Sequence, residues 1–398
     1  MLKDATMNLK RLLNLNLPPH QSAFLWGARK TGKSTYLAEH FPSAIQYDLL
    51  KTDELARLLR APHLLREEIL ALTPEQILRP VIIDEVQKAP NLLNEIHWLI
   101  EHQKTQFILC GSSARKLKRG AANLLGGRAW RFQFYPLVYP EIPAPDLLRI
   151  FQHGLLPANY LSEHPARMLR AYVTNYLMEE IQAEGLVRNL PGFAKFMDLV
   201  GYTNGQMMNF QNISRDVGVD AKTIKQYYQI LVDTLIGYYV EPFHKKVKRD
   251  LILSTPKFYL FDVGIAHHLK HRHISVLKGA EAGEALEHYL LTELIAFHGL
   301  NEIDRPIQYW RSKSGLEVDF VLGEGRIAIE AKISSNIQTS DVKGLVAFSE
   351  DYQPERAIVV CLVSRKRLLT TIGNTRIEIY PWEEFMHELW TKKIVTYI

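Results

Sequence analysis

The sequence predicts an α/β protein built from an N-terminal parallel sheet, a mainly helical middle part and a C-terminal mixed α/β part. Three observations lead to this prediction. Short apolar runs alternate with helical patterns between residues 20 and about 140, which favours parallel β-α-β units. The pattern is helical with few strands from Leu147 to about Leu269, and a long helical pattern followed by hairpin-like strands begins near Lys278. The predicted domains are 1–145, 146–275 and 276–398.

The composition of the chain limits its class. Its 398 residues suffice for two or three domains, and the net charge of +5 is mild. No apolar run is long enough to cross a bilayer and the first residues lack a signal-peptide core, so we expect a cytoplasmic protein without membrane association. The two cysteines, Cys110 and Cys361, lie far apart in strand-like segments, which predicts buried free thiols.

A glycine-rich segment follows the first apolar run, in SAFLWGARKTGKST. Gly27, Gly32, Lys33 and Ser34 have the spacing G-x-x-x-x-G-K-[ST]. In such a loop the backbone N–H groups and the helix N-terminus bind phosphate oxygens, the lysine reaches the outer phosphates and the serine ligates Mg²⁺. The segment therefore predicts a nucleotide phosphate site. Its residues are Gly27, Ala28, Arg29, Lys30, Thr31, Gly32, Lys33, Ser34 and Thr35.

Polar side chains follow the next two strand-like segments, VIIDEV and FILCGSS. At the first, we expect Asp84 to hold Mg²⁺ through water and Glu85 to polarise the attacking water; the alternative is an acidic helix cap. At the second, Ser112 or Ser113 is placed to contact the γ-phosphate or to orient water. These positions predict the hydrolytic side of the same phosphate site.

Arginines are frequent in the segment RKLKRGAANLLGGRAWR. Arg115, Arg119, Arg128 and Arg131 are its members. Arg128 follows a Gly-Gly turn and is the candidate to project into the site of a neighbouring subunit. The alternative is a solvated arginine on the surface.

The middle part contains two short helical patterns joined at GVD and followed by the strand-like GYYVEPF, which resembles a winged helix-turn-helix. Its second helix is expected to present Lys222, Thr223, Lys225 and Gln226 to phosphates or base edges. The alternative is a unit that covers the nucleotide or packs on a neighbour. The basic segment HKKVKRD, residues 244–250, is compatible with a phosphate backbone and equally with a solvated loop.

The segment LEVDFVLGEGRIAIEAK, residues 316–332, has the alternation of a β-hairpin. If its turn is centred on Glu324 and Gly325, Asp319 lies opposite Glu330 and Glu317 lies opposite Lys332, all on one face. The other face is predicted to hold four apolar residues. They are Val318, Phe320, Ile329 and Ala331.

Two carboxylates placed opposite each other repel, and such a pair destabilises a sheet unless something compensates. A divalent cation, with Lys332 nearby, is a compensation that suits oxygen ligands. The alternative is a solvated polar face with an ion pair between Glu317 and Lys332.

The N-terminal motifs GARKTGKS, VIIDEVQKAP, ILCGSS and LLGGR resemble, in order and spacing, those of the AAA-type ATPases. More narrowly, the chain is similar to a widespread prokaryotic group in which such a module is fused to a domain of uncharacterised function. The resemblance implies ATP and Mg²⁺ as ligands and a homo-oligomer, with Arg128 at the position of the family's Gly-Arg motif. No lid-borne sensor arginine is identified.

The C-terminal part resembles the PD-(D/E)xK nuclease superfamily through an acid in a long helix, then an Asp, then Glu-x-Lys. The resemblance implies that Glu287, Asp319 and Glu330 hold Mg²⁺ or Mn²⁺, and that Lys332 acts on the attacking water or the developing phosphate charge. Val318 stands where the superfamily motif has proline.

Two functions are compatible with these motifs. The first is a Mg²⁺-dependent ATPase that acts on nucleic acid, expected to be DNA, and carries a metal-dependent nuclease domain. The second is an ATP-driven switch whose C-terminal domains bind a protein partner without cleavage.

Overall fold

The computed structural model describes residues 9–113, 125–177, 189–245 and 255–396. The chain divides into two compact units, which we call the N-terminal unit, residues 11–136 with 233–236, and the C-terminal unit, mainly residues 137–232 and 237–398. Arg115, Arg119 and most of the basic segment 244–250 lie outside the described residues.

The N-terminal unit contains a five-stranded sheet in the order β2-β3-β4-β1-β5, with parallel neighbours throughout. The predicted parallel α/β sheet is confirmed. Its central strands are continuous apolar runs because both of their faces are covered. The strands are β1 (Ser22–Trp26), β2 (Ile45–Asp48), β3 (Val81–Asp84), β4 (Phe107–Gly111) and β5 (Ala129–Gln133).

The helices of this unit pack apolar residues against the sheet, with Leu65 and Ile96 fully buried beside Ile83 of β3 and Leu109 of β4. Cys110 is also buried and free, as predicted, and so is Cys361 in the C-terminal unit. The helices are α1 (Lys33–His40), α2 (Thr52–Arg60), α3 (His63–Leu70), α4 (Pro74–Ile77) and α5 (Leu92–Gln103).

The C-terminal unit contains an eight-stranded mixed sheet in the order β12-β13-β11-β10-β9-β8-β6-β7. The predicted mixed α/β architecture is confirmed, and the sheet also includes two strands from the predicted middle domain. The strands are β6 (Gly237–Pro242), β7 (Lys257–Leu260), β8 (Gln308–Arg311), β9 (Glu317–Leu322), β10 (Ile327–Lys332), β11 (Arg356–Cys361), β12 (Arg367–Ile372) and β13 (Thr375–Pro381).

Ten further α-helices are described from residue 147 onward. They are α6 (Leu147–His153), α7 (Pro157–Tyr160), α8 (Pro165–Ala171), α9 (Leu190–Val200), α10 (Phe210–Val217), α11 (Ala221–Asp233), α12 (Val263–Leu269), α13 (Gly279–Leu300), α14 (Lys343–Tyr352) and α15 (Trp382–Trp390). Among the described residues, no helix combines the length and the apolar character needed to cross a membrane.

Helices cover both faces of the mixed sheet. On one face, α13 and α15 pack residues such as Leu290 and Phe385 against Ile329 of β10. On the other face, α14 packs Leu345 and Phe348 against the remaining side chains of the same strands. The sheet therefore lies between two layers of helices, and α13 runs close to β10.

The outermost strand, β12, is irregular. Leu368 lies opposite Glu378, but the next paired residue is Thr370, opposite Ile377, so Leu369 has no counterpart on β13. One extra residue of this kind is a β-bulge, which bends the strand and interrupts its ladder.

Candidate functional site

The phosphate loop connects β1 to α1, as predicted. Gly32 caps α1 with a φ of 99°, a conformation that glycine adopts without strain. A Cβ at Gly27 would come within 2.5 Å of the Phe134 carbonyl oxygen, which leaves room only for glycine. The buried Lys33 donates from Nζ to the carbonyls of Gly27 at 2.5 Å and Ala28 at 2.9 Å, so its ammonium group lies across the loop.

The predicted Mg²⁺ ligands of this site are adjacent. Ser34 Oγ donates to Asp84 Oδ2 at 3.1 Å, at the carboxyl end of β3. Burial and the neighbouring Glu85 raise the pKa of Asp84, while Ser34 and Lys33 oppose the rise. A hydroxyl beside a carboxylate fits Mg²⁺, which prefers hard oxygen ligands.

Glu85 is held by two side chains. It is buried and adopts a left-handed conformation with φ 58°. Its Oε2 accepts hydrogen bonds from Gln87 Nε2 and, at 3.3 Å, from Ser112 Oγ; Gln87 Nε2 also donates to Ser112 Oγ at 3.1 Å. The structure thus brings the predicted Glu85 and Ser112 together. Gln87 was not predicted, although its place in DEVQ, two residues after the acid, was a usable signal.

Arg128 lies immediately before β5, and its carbonyl accepts from Ser22 N at 3.3 Å. Its guanidinium donates to Glu101, and its side chain is 39% exposed. Ser22 begins β1 and the phosphate loop follows the other end of that strand, about 13 Å away at 3.3 Å per residue. Arg128 therefore lies at the amino-terminal ends of the parallel strands, whereas the phosphate loop of its own unit lies at their carboxyl-terminal ends.

The predicted register of the hairpin is confirmed, and the turn is a 3₁₀ turn from Gly323 to Gly325. The ladder ends at the pair Phe320–Ile329. Beyond it, the carboxylate of Asp319 accepts the N–H of Ala331 at 2.8 Å. The paired residues are Leu322 with Ile327, Val321 with Ala328, and Phe320 with Ile329.

A β-bulge in β9 alters the predicted faces. Val321 pairs with Gln308 and Val318 pairs with Trp310, so one residue of β8 faces two residues of β9, Asp319 and Phe320. A bulge changes the direction of the side chains that follow it. Our prediction that Val318 shares a face with Phe320 was therefore wrong: Val318 packs in the cluster under α14 and Phe320 in the cluster under α13.

The charged residues of the hairpin line a cavity of about 500 Å³, which we call the acidic cavity. All four predicted residues of the nuclease-like site contribute to it. Gly205, Gln206 and Met207 form part of its wall. Its charged residues are Glu287, Glu317, Asp319, Glu330, Lys257, Arg311 and Lys332.

Asp319 and Glu330 are the most buried carboxylates of the cavity, at 8% and 6% exposed. Burial raises the pKa of both, and for Asp319 the Glu330 and Glu287 carboxylates add to the rise. Lys332 Nζ donates to Glu330 Oε1 at 2.6 Å, whereas the buried Glu330 Oε2 accepts no hydrogen bond from any described residue. Two close carboxylates with one oxygen unpaired are a donor set that fits a divalent cation.

Glu287, the third predicted ligand, faces other partners. Lys257 Nζ lies 3.0 Å from Glu287 Oε1 and 2.5 Å from Glu317 Oε1, and Tyr259 donates its hydroxyl to Glu287 Oε1 at 2.5 Å. Arg311 pairs with Glu317. Within the described parts of the chain, no three acidic, histidine or cysteine side chains are arranged to hold a metal ion.

Sequence reasoning missed Lys257 and did not assign a partner of Glu317 other than Lys332. The predicted alternative, an ion pair between Glu317 and Lys332, was wrong. Glu317 pairs with Lys257 and Arg311, and Lys332 pairs with Glu330. The signal for Lys257 was the segment KFYL, whose alternation places Lys257 and Tyr259 on one side of a short strand.

The predicted helix pair of the middle domain is present as α10 and α11, joined at Gly218 with φ 80°. Lys222, Lys225 and Gln226 are exposed on α11, as expected. Thr223 is half-buried instead and donates its hydroxyl to Asp220 Oδ2 at 2.6 Å, because it belongs to the N-terminal cap of the helix.

The segment before α10 is attached to β7. Gly205 N donates to the Phe258 carbonyl at 2.7 Å, Met208 N donates to the Pro256 carbonyl at 3.0 Å, and Met207 pairs with Lys257. The main chain that carries Lys257 is therefore continuous, through hydrogen bonds, with the segment leading into the helix pair.

Three family descriptions match parts of the sequence. Residues 19–143 match an AAA domain, residues 144–275 a domain of unknown function (DUF8612), and residues 282–384 another domain of unknown function (DUF4143). Uncharacterized proteins of Mycobacterium bovis and Mycobacterium tuberculosis are each 24% identical over 329 residues, which is 80% of this chain and 70% of theirs.

Solved structures with detectable similarity include two proteins of Aeropyrum pernix. The ORC2 protein, in ADPNP-ADP complexes, is 13% identical, with coverage of 70% of this chain and 89% of that chain and a TM-score of 0.33. The ORC1 protein, in complex with DNA, is 13% identical, with coverage of 63% and 86% and a TM-score of 0.28. With the match to the AAA domain and the geometry of its phosphate loop, the N-terminal part of the chain is a P-loop ATPase domain.

Proposed function

We propose that the protein is a cytoplasmic Mg²⁺-dependent ATPase that acts on DNA and cleaves phosphodiester bonds in the acidic cavity. One observation carries the cleavage part of this proposal. Glu330 Oε2 is buried and unpaired within the described structure, next to the carboxylate of Asp319, whose pKa burial and the Glu330 charge raise, and next to the ammonium group of Lys332. A hairpin with only a structural role would be expected to avoid this arrangement, because a buried oxygen without a hydrogen-bond partner reduces the stability of the fold.

At the phosphate loop, each residue has a separate role in ATP hydrolysis. Lys33 would leave the loop carbonyls to contact the outer phosphates, and Ser34 with Asp84 would hold Mg²⁺, which neutralises phosphate charge when bound. Glu85 accepts a proton from, or orients, the attacking water, and Ser112 keeps the Glu85 carboxylate in place through its 3.3 Å hydrogen bond.

In the acidic cavity, Asp319 and Glu330 are the residues that would hold Mg²⁺ or Mn²⁺, with Glu287 as a third ligand once it is released from its present partners. The cation would act as a Lewis acid toward a phosphodiester and lower the pKa of water. Lys332 would stabilise negative charge on the phosphate; its ammonium group lies 2.6 Å from Glu330, one of the carboxylates that would hold the cation.

The test is a cleavage assay on the full chain with Mg²⁺ or Mn²⁺, with and without ATP, against labelled single-stranded, duplex and branched DNA and against RNA. Metal-dependent products of defined length support the proposal. ATP hydrolysis with no cleavage of any substrate supports the second candidate, an ATP-driven switch that binds a protein partner. That candidate draws on the ion pairs that already neutralise Glu287 and Glu317.

For the helix pair, we predict duplex DNA binding dominated by phosphate contacts. Lys222→Ala and Lys225→Ala should each weaken binding and reduce the slope of log affinity against log salt by about one unit, because each exposed lysine displaces counterions from the duplex. The measurement is fluorescence anisotropy with a duplex at several salt concentrations. Lys195→Ala, an exposed lysine on the neighbouring α9, is the matched control and should change neither quantity. Unchanged binding in both α11 variants would favour the protein-partner candidate.

For Arg128, we predict that it completes the ATP site of an adjacent subunit in a homo-oligomer. Arg128 lies at the end of the strands opposite its own phosphate loop, so it is more suited to the site of a neighbour than to its own. An arginine supplied in trans stabilises transition-state charge. Arg128→Ala and Lys33→Ala should each abolish turnover alone, and mixing them should restore part of the ATPase rate. Arg131→Ala, in the β5 strand that follows Arg128, should stay active. Mixed subunits without any recovery would contradict a shared site.

A further inference from the structure

We propose that Lys257 is a built-in cation that competes with a divalent metal ion for the acidic cavity, so that Glu287 becomes a metal ligand only when Lys257 leaves. This inference rests on the proposed function, since it concerns the same cavity. It assigns a role to a residue that lies outside the acid and Glu-x-Lys pattern.

The contacts of Lys257 support this role. Its side chain is 5% exposed, and its Nζ lies 3.0 Å from Glu287 and 2.5 Å from Glu317. A lysine is rarely buried unless it is paired, and the pairs here are the carboxylates that face the cavity. Tyr259 adds a hydroxyl to the same Glu287 oxygen, which fixes the Glu287 carboxylate on the lysine.

The distribution of partners explains why only two carboxylates remain for a cation. Glu330 keeps an unpaired oxygen, and Asp319 uses one oxygen for the Ala331 N–H. Glu287 is paired with Lys257, and within the described residues no three carboxylates are arranged to hold a metal ion. Lys257 thus holds Glu287, the carboxylate that would be the third ligand of the metal ion.

The net charge of the cavity also indicates that Lys257 competes with a divalent metal ion. The cavity has four carboxylates and three cationic side chains. If all seven are ionised, adding a divalent ion while Lys257 stays would leave an excess positive charge in a largely buried space. Withdrawal of Lys257 would balance the charge, so in this ionisation state metal binding is favoured when Lys257 leaves the cavity.

The first experiment measures Mn²⁺ binding to the full chain by electron paramagnetic resonance, without added Mg²⁺ or nucleotide, so that Mg²⁺ does not compete for the cavity and the phosphate site has no nucleotide to hold Mn²⁺. Lys257→Met should bind Mn²⁺ more tightly than the native protein, by about tenfold or more, because a nearby positive charge has been removed. Lys270→Met is the matched control: Lys270 is also buried and paired, with Glu284, but outside the cavity. It should leave the affinity unchanged.

A second measurement uses the native protein and does not depend on how the variant folds. Reductive methylation followed by mass spectrometry reports the accessibility of Lys257, which should rise severalfold with Mn²⁺ while that of Lys270 stays constant. Equal Mn²⁺ affinity in the native protein and Lys257→Met, with constant methylation, overturns the inference and leaves the metal site standing. No Mn²⁺ bound in the cavity of either protein overturns both the inference and the proposed cleavage site.

Discussion

Glu85→Gln is expected to bind ATP with native affinity and to lose about 10²- to 10⁴-fold in kcat, the range that a positioned general base contributes. The amide cannot accept the proton of the attacking water, but it has nearly the shape of the carboxylate. Nucleotide affinity is measured with a fluorescent ATP analogue and turnover by phosphate release. Native turnover in Glu85→Gln would remove Glu85 from the chemistry.

Two further variants make this result specific. Lys33→Ala should weaken nucleotide binding itself, because Lys33 contacts the phosphates rather than the water. Glu95→Gln changes another acid of the same unit, which pairs with Arg66 at 3.1 Å, and should leave both binding and turnover unchanged. The difference between the Lys33 and Glu85 variants separates binding from hydrolysis.

Glu330→Ala is expected to abolish cleavage of DNA while ATP hydrolysis continues at the native rate. The variant removes the carboxylate with the unpaired oxygen and the partner of Lys332, whereas the phosphate loop belongs to the N-terminal unit. Cleavage is followed by gel analysis of labelled DNA with Mg²⁺ or Mn²⁺, in parallel with phosphate release.

Glu355→Ala is the control for this variant, because Glu355 is an exposed acid that pairs with Arg326, which precedes the first residue of β10 and so lies at the end of the strand away from Lys332; both activities should persist. Cleavage that survives in Glu330→Ala would place the chemistry elsewhere. A crystal soaked in Mn²⁺ without an ion near Asp319 and Glu330 would contradict the nuclease proposal directly and leave a binding module.

The features that sequence reasoning predicted are those encoded locally. The phosphate loop lies within one short segment, and each of its residues has a task that depends on its neighbours in the chain. The hairpin register follows from the position of the turn, since two strands joined by a short turn must pair symmetrically about it. Asp84 and Ser112 were found because parallel strands end at a common edge.

The features that were missed depend on distant neighbours. β2 and β5 are edge strands: β2 buries only Tyr47 and β5 buries none of its five residues, so neither has an apolar run that marks a strand. The bulge at Asp319 is set by pairing with β8, and the place of Lys257 is set by the order of strands in the sheet. Periodicity within one segment contains no information about either.

The extra residue in β12 has a consequence for the behaviour of the protein at high concentration. A regular outer strand would offer an unbroken row of N–H and C=O groups on which a strand from another molecule could align. The irregularity at Leu369 divides that row into two short stretches that are out of step. A strand from a second molecule could form a hydrogen-bonded ladder with only one stretch at a time, so the β12 edge of the mixed sheet is a poor template for aggregation.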